Sequence, residues 1–96
     1  MITSKKRAKL RGMANSSETI VYIGKNGITD ELVNSLKCAL IARELVKCEI
    51  LDNAPVNSRE AAINVSEILD CEIVQVIGKK FVVYKKNFKK KDGIEI

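Results

Sequence analysis

With 96 residues, 46% of them hydrophobic and 30% charged, the chain makes one domain with a core of its own and has no room for a second module. No apolar run approaches the roughly 18 residues that a membrane span needs, and neither an apolar stretch nor a small-residue cleavage site follows the basic start Met1-Ile2-Thr3-Ser4-Lys5-Lys6-Arg7; a membrane protein and a secretory leader are set aside, and a cytoplasmic location is expected. The net charge of +5 sits at the two ends: residues 1–15 carry +5, residues 85–96 carry +3, and the middle carries −3.

In chain order, Thr3 or Ser4 can cap a first short helix that runs to about Asn15, with Leu10, Met13 and Ala14 at the i, i+3, i+4 spacing of an inner face. Lys5 and Lys9 point away from that stripe and Arg7 and Arg11 flank it, so the basic groups reach solvent while the helix stays docked. Thr19–Ile23 is a β-branched, apolar run and predicts a buried strand. Gly24-Lys25-Asn26-Gly27 ends it. Thr29 then caps a second helix reaching about Glu44, with Asp30 and Glu31 in its first turn and Leu32, Val33, Leu36, Ala39 and Leu40 facing inward. Val46, Cys48 and Ile50 alternate with Lys47 and Glu49, which predicts a half-buried strand and completes a βαβ crossover.

After a loop with the only proline, Pro55, Asn57 caps a third helix in a box-like arrangement with Glu60; Ala61, Ala62, Val65, Ile68 and Leu69 are its expected buried face. Glu72–Ile77 and Phe81–Lys85 then read as two strands joined by a hairpin at Gly78-Lys79-Lys80. The order αβαβαββ predicts a two-layer α/β domain with a four-stranded mixed sheet over residues 1–86, followed by a basic tail, 87–96.

Cys38, Cys48 and Cys71 are odd in number, widely spaced and without a C-x-x-C pair, so they are read as reduced core thiols. The chain has no histidine, which removes the commonest general base and the middle member of the usual nucleophilic triad. No metal site, cofactor or small-molecule substrate is expected, and the chain is read as a non-enzyme. Asp30 and Glu31 are helix-start residues rather than a catalytic pair. Tyr22 and Tyr84, in strands, are read as core rather than as stacking platforms.

The four-residue loop after the first strand is the one local motif with chemistry. Two glycines let backbone N–H groups come close to a ligand, the helix N-terminus that follows adds donors and a partial positive charge, and Lys25 adds a full one; together they suit a phosphate. The same four residues also make an ordinary turn, Asn-Gly being a common turn dipeptide. Likewise the basic ends fit either a polyanion partner or a solvated surface. G-x-x-x-x-G-K-[ST] and G-x-G-x-x-G are both absent, which counts against an enzyme of phosphate ligands; a small DNA-compacting protein would use the same basic ends.

Four blocks in order carry a wider resemblance: Leu10-Arg11-Gly12-Met13-Ala14; Val21-Tyr22-Ile23-Gly24-Lys25-Asn26-Gly27-Ile28-Thr29; Ala42-Arg43-Glu44-Leu45-Val46-Lys47; and Val74-Gln75-Val76-Ile77-Gly78 with Val82-Val83-Tyr84. Together they resemble the YhbY family of CRM-domain proteins over residues 4 to about 86, with Thr19 standing where the family often has proline. The resemblance implies a fold similar to the C-terminal domain of bacterial translation initiation factor three, and RNA binding through a loop comparable to the GXXG loop of KH domains, which clamps the nucleotide backbone. It also implies association with ribosomal RNA in the precursor of the large ribosomal subunit. On that basis Gly24, Lys25, Asn26 and Gly27 are the expected clamp, and Lys5, Lys6, Arg7, Lys9 and Arg11 the expected phosphate contacts. Arg43 lies in a family-like block, at a helix end that favours a cation anyway. Lys79 and Lys80 can be a solvated hairpin turn.

Overall fold

The structure, a computed structural model, describes residues 2–87. Seven elements follow in the expected order: α1 (Ser4–Asn15), β1 (Thr19–Ile23), α2 (Asp30–Arg43), β2 (Leu45–Ile50), α3 (Ser58–Leu69), β3 (Glu72–Ile77) and β4 (Lys80–Tyr84). Each helix starts at a side-chain cap that satisfies an otherwise orphaned donor: Thr3 accepts from the Lys6 N–H, Thr29 from Leu32 and Asn57 from Glu60. At Asn57 the box closes, because the Asn57 side-chain amide also donates to Glu60 Oε1 at 3.0 Å.

The strands form one sheet in the order β1-β2-β4-β3. β1 and β2 are parallel, with α2 as the crossover between them, while β2 and β3 each pair with β4 antiparallel. The hairpin is one residue tighter than the sequence suggests: the turn is Gly78-Lys79, and β4 begins at Lys80 opposite Ile77. Gly78 takes φ 56°, a conformation that two-residue hairpin turns need and that glycine enters without steric cost.

Alternation along the strands sorts side chains to two faces. Val21 and Ile23, then Val46, Cys48 and Ile50, then Phe81 and Val83 pack with Leu36 and Leu40 of α2 and Ala61, Ala62 and Val65 of α3. The opposite face is not bare, as two layers would leave it. Leu10 and Ala14 of α1 bury against Val74, Val82 and Tyr84 there, so helices lie on both sides of the sheet. The reason is legible in β4: Phe81-Val82-Val83-Tyr84 is apolar without interruption, and such a strand needs both its faces covered.

α1 covers only part of that second face. Beyond it lies one cross-strand row, Tyr22, Glu49, Lys80 and Ile77, in which Tyr22 is 53% and Ile77 62% exposed. Tyr84 is core as expected, and Tyr22 is not: with Val21 and Ile23 turned inward, the period of two turns Tyr22 outward. Cys48 is buried and Cys71 half-buried, but Cys38 is exposed, two positions and hence some 200° around α2 from Leu36. Ile68 is also exposed rather than inward, since the buried stripe of α3 climbs through Ala61 and Val65 to Leu69.

Candidate functional site

The Gly24–Gly27 loop sits where β1 stops. β2 holds the end of that strand through the Leu51 N–H, which donates to the Ile23 carbonyl at 2.9 Å. The loop closes on itself as a β-turn: the Gly27 N–H donates to the Gly24 carbonyl at 3.0 Å, and Lys25 and Asn26 stand exposed at its apex. The backbone N–H groups of Lys25 and Asn26 have no hydrogen-bond partner among the described residues.

The two glycines serve different ends. Gly27 has φ 66°, is buried, and stands against Pro55, whose Cγ would be 3.1 Å from an added Cβ. Backbone conformation and packing therefore both demand glycine there. Gly24 has no unusual φ, and its Cβ would meet only Leu51 Cδ1 at 3.8 Å and Asn53 Oδ1 at 4.0 Å, an ordinary contact. A small side chain at Gly24 would therefore be tolerated by the fold.

Beside the loop is a shallow hollow of about 560 Å³, lined by all four loop residues with Tyr22, Ser35 and Asn53 among others. Its electrostatics depart from the simple picture of a helix end open to an anion. Thr29 Oγ1 already accepts from the Leu32 N–H at 3.1 Å, and Asp30 and Glu31 place two carboxylates in the first turn of α2. These acids offset the partial positive charge of the helix end. An anion is attracted by Lys25 and by the exposed N–H groups of the turn. Two further lysines at this end of the sheet are engaged with acids: Lys79 pairs with Asp52, and Lys80 lies 3.6 Å from Glu49.

Along α1, Lys5, Lys6, Lys9 and Arg11 are exposed, while Arg7 is half-buried and turned to β3, its guanidinium 3.8 Å from the Glu72 carboxylate. Arg7 Nε is buried with no hydrogen-bond partner among the described residues. Arg7 thus ties the helix to the sheet, and the other four basic groups face water. No acid stands in the first turn of α1 and no base in its last. Lys5 and Lys6 therefore lie at the end of the helix dipole that repels them, each at a cost of some tenths of a kcal/mol.

Arg43 is not gathered to the loop. It closes the 14-residue α2, about 20 Å along the axis from the helix start, and lines a separate hollow of about 370 Å³ with Met13, Ala14, Ser17 and Lys47. Of the lysines after β4, Lys85 donates to the Leu69 carbonyl at 2.6 Å and Lys86 lies 3.9 Å from Glu44, while Lys89, Lys90 and Lys91 of the tail lie outside the described residues. Tyr22, exposed where the sequence suggests core, lines the hollow beside the loop. Its exposure follows from the alternation along β1, which turns Val21 and Ile23 inward.

Comparison with known proteins bears on the whole of this arrangement. The CRS1 / YhbY (CRM) domain matches residues 2–85, from before α1 to the end of β4. The chain belongs to the CRS1 / YhbY family. Among its relatives is a protein of Bacillus subtilis (strain 168) named "Probable RNA-binding protein YqeI", 32% identical over 87 residues that cover 91% of each chain. The solution structure of the hypothetical protein SAV1595 from Staphylococcus aureus, proposed to bind RNA, superimposes with a TM-score of 0.78 at 35% identity, covering 96% of this chain and 94% of the other. The likeness to that solved structure extends over the helices and the mixed sheet of the chain. Among the described residues no cluster of His, Cys, Asp and Glu could hold a metal ion, and no helix is long and apolar enough to cross a membrane.

Proposed function

We propose that this CRM protein binds RNA without catalysing a reaction, that its target is ribosomal RNA during assembly of the large ribosomal subunit in the cytoplasm, and that it grips the RNA backbone with Gly24–Gly27 and with the exposed bases of α1. The observation that carries this reading is the turn itself: Lys25 and Asn26 stand exposed on a rigid strand end, with backbone donors unspent and a glycine at position 24 that the fold does not require. α1 adds to it, because Lys5 and Lys6 are placed against their own helix dipole, a cost that a polyanion relieves. The name of the Bacillus relative points the same way.

Crosslinking in cells with sequencing of the bound RNA, together with a sucrose gradient, tests the target. The protein should crosslink to large-subunit ribosomal RNA and travel with the large-subunit precursor at low salt. Protein that stays at the top of the gradient, or that prefers duplex DNA to structured RNA in competition, would overturn the assignment.

A further inference from the structure

We propose that Tyr22 is the stacking platform for a base of a single-stranded RNA segment whose backbone lies on the Gly24–Gly27 turn. The proposal rests on the reading of that turn as an RNA site and adds to it a contact with the base. Tyr22 is 53% exposed, whereas its neighbours Val21 and Ile23 are 6% and 1% exposed, so the strand is locked and the tyrosine it presents outward is held in place. Tyr22 lines the same hollow as Lys25, Asn26 and both glycines, with Ser35 and Asn53 supplying hydrogen-bonding groups at its wall. Three residues of backbone, at most about 10 Å, separate Tyr22 from Lys25. A phosphate at the turn and a base on the ring can therefore belong to the same or adjacent nucleotides.

An aromatic side chain left in water on an open sheet row contributes nothing to the core. Stacking on a base would remove its apolar face from solvent, and every base has a π-face to offer. The acids of the site fit this division of labour: Glu31 also lines the hollow, so that wall suits an uncharged base better than a second phosphate.

The test uses the full chain and two RNA strands of about ten nucleotides with identical backbones, one intact and one abasic at its central positions. The wild-type chain should bind the intact strand about 5- to 100-fold more tightly. Tyr22→Phe should keep that ratio, and Tyr22→Leu should bring it close to one without a change in melting temperature. Equal affinity of the wild-type chain for both strands overturns the stacking and leaves the backbone clamp standing. A ratio that survives in Tyr22→Leu also overturns it, by showing that bases are held elsewhere. Failure of both strands to bind removes the RNA reading of the loop, and the stacking with it.

Discussion

The backbone N–H of Asn87 donates to the buried carboxylate of Glu44 at 2.8 Å, and so fastens the chain after β4 to the end of α2. Glu44 holds that place at φ 65°, with its own carbonyl accepting from the Lys85 N–H at 2.9 Å and Lys86 lying 3.9 Å from its carboxylate. Glu44→Ala leaves the Asn87 N–H without its acceptor and keeps the unfavourable φ. Urea unfolding should show a loss of about 2 to 4 kcal/mol. Glu44→Gln keeps an oxygen for Asn87 and should lose clearly less. Equal losses would mean that the charge, rather than the hydrogen bond, fastens the segment.

The two loop glycines should separate fold from function. Gly27→Ala forces a Cβ into both a left-handed backbone and Pro55, and should cost roughly 1 to 2 kcal/mol or more by thermal melting. Gly24→Ala should leave the melting temperature within a degree or two, the ordinary effect of a substitution without strain. Its effect belongs in an RNA titration, where a methyl group at the approach should weaken binding several-fold if the backbone comes close. A Gly24→Ala chain that binds as well as wild type would place the ligand farther out.

Charge reversal at the turn apex is the direct test of the clamp. Lys25→Glu and Arg59→Glu change the net charge equally, and both positions are exposed, the second at the start of α3. Lys25→Glu should reduce RNA affinity at least tenfold, about 1.4 kcal/mol, and Arg59→Glu by no more than the general charge effect. Similar losses in filter binding would assign the attraction to overall charge.

For α1, neutralising about three to five phosphates gives a log–log salt slope of roughly −2 to −5. Replacing Lys5, Lys9 and Arg11 by glutamine should flatten that slope. Arg7 is left out because its pairing with Glu72 makes its loss a matter of stability. An unchanged slope would show this face of α1 to be merely solvated.

The thiols predict both reactivity and alkaline stability. Burial pushes the Cys48 thiol up to about 12, with the nearby Cys71 adding to it, and burial chiefly pushes Cys71 up to about 11, from an ordinary 9.0. Cys38, exposed, should react with a thiol reagent at once, Cys71 slowly, and Cys48 only on unfolding. Because the folded chain holds Cys48 protonated, its contribution is whole below pH 9 and is lost as the pH rises from 9 towards about 12. At pH 10.5 the loss from Cys48 is roughly 2 kcal/mol. Cys48→Val should flatten that part of a plot of melting temperature against pH.

Much of this was legible in the sequence, for identifiable reasons. Thr3, Thr29 and Asn57 announced the helices through local hydrogen bonding, and Val46-Cys48-Ile50 announced β2 through alternation, signals that need no knowledge of the rest of the chain. The four blocks of family resemblance span the same elements as the CRS1 / YhbY (CRM) match over residues 2–85. What local signals do not hold is which face a partner covers. The place of α1 on the far side of the sheet, and the pairing of Arg7 with Glu72, depend on residues some 65 positions apart. The exposure of Ile68 and Cys38 follows from where the α2 and α3 stripes run, which is visible only once the sheet they pack on is in place. At the site, the turn was legible and the loss of Arg43 to a different hollow was not, because its distance from the loop is set by the length of α2.

The interior position of β4 has a consequence for how the domain comes into being. Among the described residues the last strand is the one that joins the sheet: until Lys80–Tyr84 is available, β3 has no neighbour and β2 has β1 alone. A fragment that stops short of Phe81 keeps neither the main core, which needs Phe81 and Val83, nor the α1 side, which needs Val82 and Tyr84. The fold of this domain therefore depends on β4, whose pairings span a long loop of chain. The turn at Gly24 thus hangs on a strand end that β2 holds, and β2 in turn is flanked by a strand made some 30 residues later.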